Sequence, residues 1–281
     1  MRRYAKMGGS FTWWHGRSVH ELTAADVRRW YVEDLGRRSI GLKTQKNIAD
    51  AFRAFLRQLK ADEVIERVPT FPEINPPKPV RDTLTIDTQS RVIAAIPWEA
   101  RGVFLLAAYH ALRLGEIRAL DISDFDGEKI HLTRATKSQR VAGPVGRLKN
   151  DNPRELEIWS DELHQWLRWR MEQATAEARL RGEVALCLNP RADREDNPAM
   201  RWSPSALRRA WKAACTEAGV TISFQEGTRH STLTKLAGEL TERALRSFSG
   251  HRSGKALDAY TGNVRTDPKA IRKILRRQKL K

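Results

Sequence analysis

The sequence predicts a mostly α fold with a small antiparallel β-sheet, arranged as two domains. Three observations carry this. Apolar residues recur at helical spacing in two blocks, a proline-rich stretch separates the blocks, and an Asp-Gly turn in the second block opens a run of short extended segments. The 281 residues are enough for two domains that each bury a core.

In "ELTAADVRRWYVEDL", Thr23 is placed to cap a helix with Asp26 completing a capping box, and Val27, Trp30, Tyr31 and Leu35 follow at helical spacing. "LKTQKNIADAFRAFLRQLK" puts Ile48, Phe52, Phe55, Leu56 and Leu59 on one face. Lys43, Lys46, Arg53, Arg57 and Lys60 lie elsewhere, so residues 1–68 read as a small basic helical unit. Trp13 and Trp14 before it fit either core packing or stacking on bases. From 69 to 82 the chain is rich in proline, which removes donors and favours extended backbone, as in a semi-rigid linker. Residues 83–281 form the second domain. Helices are expected in "DTQSRVIAAI" and "ARGVFLLAAYHAL", and Asp126-Gly127 turns into a strand over 130–133. Extended runs around "RVAGPVG" and "RELEIW" complete the sheet, with Lys149 on the loop between them. Ser203-Pro204 opens a further helix in N-cap and N1 order. The chain ends in the basic stretch "PKAIRKILRRQKLK".

Lysine and arginine outnumber aspartate and glutamate by 51 to 34, a formal charge of +17, so the natural partner is a polyanion, foremost nucleic acid. A membrane is not expected, because the chain has no run of about 18 apolar residues and no signal-peptide core. Cys187 and Cys215 sit among apolar neighbours and read as buried thiols in a reducing interior. No zinc-type spacing occurs, and no metal or other cofactor is expected.

Three places in the second domain fit contacts to phosphate, though taken singly Arg113 reads equally as an internal salt-bridge residue, Lys149 as a solvated loop lysine and Arg229 as a surface arginine. Arg113, in "ALRLGEIRAL", lies between apolar helices and needs an anion, with Glu116 available to pair with an arginine. Lys149 projects from its loop, and Arg229 with His230 begins a helix whose amide end favours anions. Further on, "SGHRSGKALDAYTG" sets His251 nine positions ahead of Tyr260, one of only four tyrosines. Alone, that tyrosine reads equally as helix-end packing or as a nucleophile.

Taken together, "ALRLGEIRALDISDFD", "GTRHSTLTKLAG" and "SGHRSGKALDAYTG" resemble the first arginine motif, the second arginine motif and the Gly-His-to-Tyr box of the tyrosine recombinase family of phage-type integrases. The resemblance spans essentially the whole chain. It implies a clamp of a helical core-binding domain and a catalytic domain that close around double-stranded DNA, with Lys43, Thr44, Lys46 and Arg53 as candidate DNA contacts. It also implies that Arg113 and Arg229 hold the scissile phosphate, Lys149 protonates the leaving 5′ oxygen, His251 hydrogen-bonds the phosphate and Tyr260 attacks it. Lys137 competes for the lysine role, but "KNDNPRELEI" better resembles the family's lysine, loop, arginine, strand pattern. Where the family usually has a histidine three residues before the second arginine, this chain has Glu226. A carboxylate facing the phosphate would oppose it, so Glu226 is expected to pair with an arginine and orient it, while His230 is expected to be structural.

The implied activity is site-specific recombination through a 3′-phosphotyrosyl intermediate. The alternatives are a catalytically silent DNA-binding relative acting as a regulator and a type IB topoisomerase-like enzyme. Implied partners are further copies of the chain, as a dimer to tetramer assembled on DNA through the C-terminal tail, and DNA-bending accessory proteins. The implied location is the cytoplasm, on the nucleoid. Only "MRRYAKMGGSFTWWHG" precedes the first capped helix, so an arm-binding module is expected to be absent or the start truncated.

Overall fold

The computed structural model describes residues 9, 11–77, 81–136, 145–148, 153–192, 195, 197, 199–251, 253, 254, 257 and 260. The chain divides into two compact units, Met1–Val80 and Arg81–Lys281.

The first unit is built on two helices. Helix α1, Ala24–Trp30, starts with the Thr23/Asp26 capping box, which satisfies amides at its first turn, and runs into a π-helical turn at Tyr31–Leu35. Helix α2, Leu42–Ala61, buries Ile48, Phe52 and Leu56 against Val27, Trp30 and Leu35. Phe52 is the hub of this core. Trp14 stacks on it at 4.8 Å and Phe71 meets it edge-on at 5.8 Å, so Trp14 packs as a core residue. The stretch 67–77 is neither helix nor strand, yet Ile74 is buried and Phe71 half-buried in the same core. Proline here limits regular structure without detaching the chain, because two apolar side chains still gain from burial. On the outer side of α2, Lys43 and Thr44 are exposed. Lys46 and Arg53 instead share Asp50, at 3.8 and 2.9 Å.

The second unit packs around α4, Trp98–Tyr109, whose residues from Val103 to Ala108 are all buried. Helix α3, Ile86–Ala94, capped by Thr85, precedes it, and the short α5, Leu114–Ile117, follows. Four short strands come next: β1 Lys129–Leu132, β2 Arg134–Thr136, β3 Val145–Arg147 and β4 Arg154–Glu157. Instead of the single sheet expected from the sequence they form two antiparallel ladders, β1 with β4 and β2 with β3. Thr133 alone joins β1 to β2 while residues 148–153 separate β3 from β4, so the two ladders are out of register with each other. Leu132 pairs with Arg154 at the inner end of the β1–β4 ladder, where the segment containing Lys149 begins and ends.

Helix α6, Asp161–Gln173, lays Trp166 across α4, and α7, Ala176–Leu180, follows. Helix α8, Pro204–Glu217, opens on the Ser203 cap as its Ser-Pro start predicts. A π-helical turn, Glu226–His230, leads into α9, Ser231–Ala237, and α10, Glu242–Ser249, ends at Gly250. The mostly α reading with small antiparallel sheets therefore holds. Cys187 and Cys215 are buried free thiols. Among the described residues no helix is long and apolar enough to cross a membrane, and no group of His, Cys, Asp or Glu could hold a metal ion. Lys149, its rival Lys137 and the C-terminal tail lie outside the described residues.

Candidate active site

Arg113 caps the N-terminus of α5, and the helical i, i+3 step brings Glu116 back beneath it. The Arg113 amide donates to Glu116 Oε2 at 2.9 Å and its guanidinium to Oε1 at 2.9 Å. Glu116 also accepts from Arg154, at the start of β4, at 3.3 Å. Burial disfavours the Glu116 charge, but Arg154 and then Arg113 outweigh it and hold the carboxyl below its ordinary acidity range. Gly115 between them is required by close approach: a Cβ there would lie 2.4 Å from the Thr136 carbonyl oxygen on β2.

Arg229 was expected at the start of a helix. It sits instead in the π-helical turn that runs continuously into α9, with its amide inside the helix and its side chain buried. Its guanidinium donates to the Ala111 carbonyl, to the Ser249 carbonyl at 3.1 Å and to His251 Nε2 at 3.2 Å. Burial and then the nearby Arg113 lower its pKa to about 10, so it remains a cation at neutral pH.

His251 follows Gly250, which ends α10 in the left-handed conformation at φ 66°. The Ser249 hydroxyl donates to the Leu245 carbonyl at 2.6 Å, so the 2.6 Å contact between Ser249 Oγ and His251 Nδ1 needs the proton on Nδ1. Nε2 then presents its lone pair to Arg229. Burial, then Arg229 and Arg113, bring the His251 pKa down to about 4, and the ring is neutral at pH 7.

Tyr260 is 6% exposed and packs with Ala111, Leu233, Leu245 and Leu257. Its ring stacks on His230 at 5.0 Å and is tilted against His251 at 5.7 Å, and the Arg229 guanidinium lies beside it. Packing residue and candidate nucleophile are thus the same residue. His230 carries one face of this ring and is itself held by Arg81, more than a helix residue's ordinary role.

The structure brings Arg113, Glu116, Arg229, His251 and Tyr260 together. Glu226 is where it departs from expectation, since its carboxylate accepts from Ser223 Oγ at 2.6 Å and no arginine among the described residues pairs with it. The reason is local. Ser223 Oγ also accepts the Glu226 amide, a reciprocal cap of the following turn that satisfies the carboxylate in place. "SFQE" is a Ser-x-x-Glu pattern and was the signal for it. Arg154, Ser249 and Ala111 were not singled out from the sequence as parts of the site.

Two arginine guanidinia close to one another, a buried carboxylate that fixes one of them, a third arginine behind it and a neutral histidine form a site for an oxyanion, with a phenol at its edge. The chain belongs to the phage integrase family, the tyrosine recombinases, whose family model matches residues 83–266. No curated protein matches it in sequence. Among solved structures it is similar to the Tn1549 transposon integrase in complex with a circular intermediate DNA, with a TM-score of 0.69 at 14% identity over 92% of this chain and 86% of that one. It is also similar to a lambda integrase dimer bound to a COC′ core site, with a TM-score of 0.60 at 15% identity over 89% of this chain and 83% of that one. A third likeness is to XerA recombinase, with a TM-score of 0.50 at 20% identity over 96% and 88% of the two chains. These likenesses show a shared fold.

Proposed function

We propose that the protein is a site-specific DNA recombinase that cuts and rejoins duplex DNA through a 3′-phosphotyrosyl intermediate. One observation carries the reading: the Arg229 guanidinium meets His251 Nε2 at 3.2 Å and lies close to Arg113, and the Tyr260 ring packs against His251 at 5.7 Å. Two guanidinium groups held near each other in a buried site suit the non-bridging oxygens of a phosphodiester.

Tyr260 Oη forms the bond to phosphorus as the bond to the 5′ oxygen breaks, and Lys149 supplies the proton the leaving oxygen needs. Arg113 and Arg229 stabilise the charge that builds on the non-bridging oxygens, a contribution that is large in a buried site. His251 Nε2, which accepts from Arg229 here, is freed when that guanidinium turns to the phosphate; it then takes the phenol proton and, once protonated, donates to a phosphate oxygen. The phosphotyrosine retains the diester's energy, so rejoining by a 5′ hydroxyl needs no ATP. Lys43 and Thr44 on the exposed side of α2 are proposed as backbone contacts to duplex DNA, and copies of the chain assemble on it. The Tn1549 and lambda integrase structures hold DNA, and the latter is a dimer, which supports both statements.

The test is covalent trapping on a nicked duplex. Wild-type protein is expected to form a protein–DNA adduct at the 3′ phosphate, and Tyr260→Phe to bind DNA with similar affinity and form none. An adduct with Tyr260→Phe overturns the assignment. Glu226, standing where the family usually has histidine, favours a second reading as a DNA-binding relative without cleavage, which the same experiment decides.

A further inference from the structure

We propose that Arg154 is a positioning residue of this site, gripping Glu116 on one side and lying against the Gly250 backbone on the other, so that Arg113 and His251 are held to a common frame. The inference rests on the recombinase reading and extends it to a residue that touches neither phosphate nor nucleophile.

The geometry is two-sided. Arg154 Nη2 donates to Glu116 Oε2 at 3.3 Å, the oxygen that also accepts the Arg113 amide, while Glu116 Oε1 holds the Arg113 guanidinium at 2.9 Å. On its other side, a Cβ at position 250 would fall 2.4 Å from Arg154 Nη1 and 2.9 Å from Cζ. The guanidinium fills the space that any side chain at 250 would claim, and Gly250 is the residue whose left-handed turn aims His251. Arg154 is itself well anchored, since its backbone pairs with Leu132 in the β1–β4 ladder and its side chain is 13% exposed.

Charge points the same way. Glu116 carries one negative charge between two arginines. Without Arg154 the Glu116–Arg113 pair is neutral and presents a buried carboxylate close to an incoming phosphate. With Arg154 the trio keeps one positive charge, and Glu116 serves as a hinge between cations instead of a competitor for Arg113. Gly250 and Arg154 also explain each other: glycine is needed there for its conformation and again for the guanidinium beside it.

The experiment measures single-turnover adduct formation on a nicked duplex, unfolding temperature, and affinity for inorganic phosphate. Arg154→Met is expected to slow adduct formation about a hundredfold, the scale of a misplaced site. It should weaken phosphate binding about tenfold, and adding Glu116→Gln to it should recover about tenfold in both readouts, because the carboxylate left uncompensated is then gone. A merely structural arginine would give no such recovery. Arg154→Met within threefold of wild type, or no recovery in the double variant, overturns the proposal. If Arg154→Met does not fold, Arg154→Lys keeps the charge and loses the planar fork, and is expected to slow adduct formation about tenfold; wild-type rates in Arg154→Lys overturn the proposal too. A wild-type protein that forms no adduct defeats the Tyr260 reading, and the phosphate titrations then decide on Arg154 alone.

Discussion

The Arg229 guanidinium donates to the carbonyl oxygen of Ala111, a fully buried residue held at φ 49°. The left-handed region costs a non-glycine residue about 1 kcal/mol, and this cost falls at the residue that aims an arginine of the site. Ala111 also lies in the apolar cluster around Tyr260, so its methyl group and its carbonyl serve two neighbours. Ala111→Gly removes the strain and the methyl together, and its unfolding temperature is expected to stay near wild type. The looser backbone should slow adduct formation about tenfold. Ala111→Val, β-branched at positive φ, should lose about 2 kcal/mol of stability by denaturant titration. Wild-type cleavage by Ala111→Gly would remove the backbone of Ala111 from the account of how Arg229 is held.

His110 gives a pH prediction. It is fully buried against Trp159 at 4.6 Å, neither ring nitrogen has a hydrogen-bond partner among the described residues, and burial lowers its pKa to about 4. His230 is also lowered to about 4, by burial and then by Arg81, and His251 likewise. Between the ordinary histidine value of about 6.5 and these folded values, the unfolded chain binds protons that the folded chain does not. Stability is therefore complete above pH 6.5 and falls as the pH drops toward 4. His110→Phe keeps the ring stacking and removes one of the three protons, so it should flatten the fall in unfolding temperature between pH 6.5 and 4 and cost little at pH 7. An unchanged pH profile in His110→Phe would show that this ring does not titrate as its burial requires.

The Ser223 hydrogen bond to Glu226 changes what substitution at 226 should do. A carboxylate about 4 Å from the phosphate would cost about 4 kcal/mol at an effective dielectric near 20, a rate loss of about a thousandfold. Satisfied by Ser223 in its own turn, the acid is drawn away from that geometry. Glu226→Gln, which can still accept from the hydroxyl, should change cleavage by no more than about threefold, and Glu226→His should gain less than about tenfold. A hundredfold gain in Glu226→His would place the carboxylate against the phosphate and support an attenuated member of the family.

Metal dependence offers a separate check. In the proposed reaction Arg113, Arg229 and Lys149 would provide the positive charge that a divalent ion otherwise supplies to a phosphoryl transition state. Adduct formation on a nicked duplex should proceed in EDTA within twofold of its rate in magnesium. Loss on chelation with recovery on adding magnesium would rule out the arginine mechanism.

Much of this protein is legible in one dimension. The capping box at Thr23 and Asp26, the Ser203-Pro204 start and the Arg113–Glu116 pair all work over three residues or fewer, because a helical turn brings such positions together whatever the rest of the chain does. The fold class and the order of the motif residues follow from such local signals. Even the Ser223–Glu226 cap was written in the sequence as Ser-x-x-Glu. What tertiary structure alone decided is which groups meet across long stretches of chain: Arg154 with Glu116 at 38 residues apart, Arg229 with Ala111 at 118, and Arg81 with His230 at 149. No periodicity or spacing encodes those pairs. They form because buried guanidinium groups must find carbonyl, carboxylate or imidazole partners, and only the closed core determines which of these lies within reach.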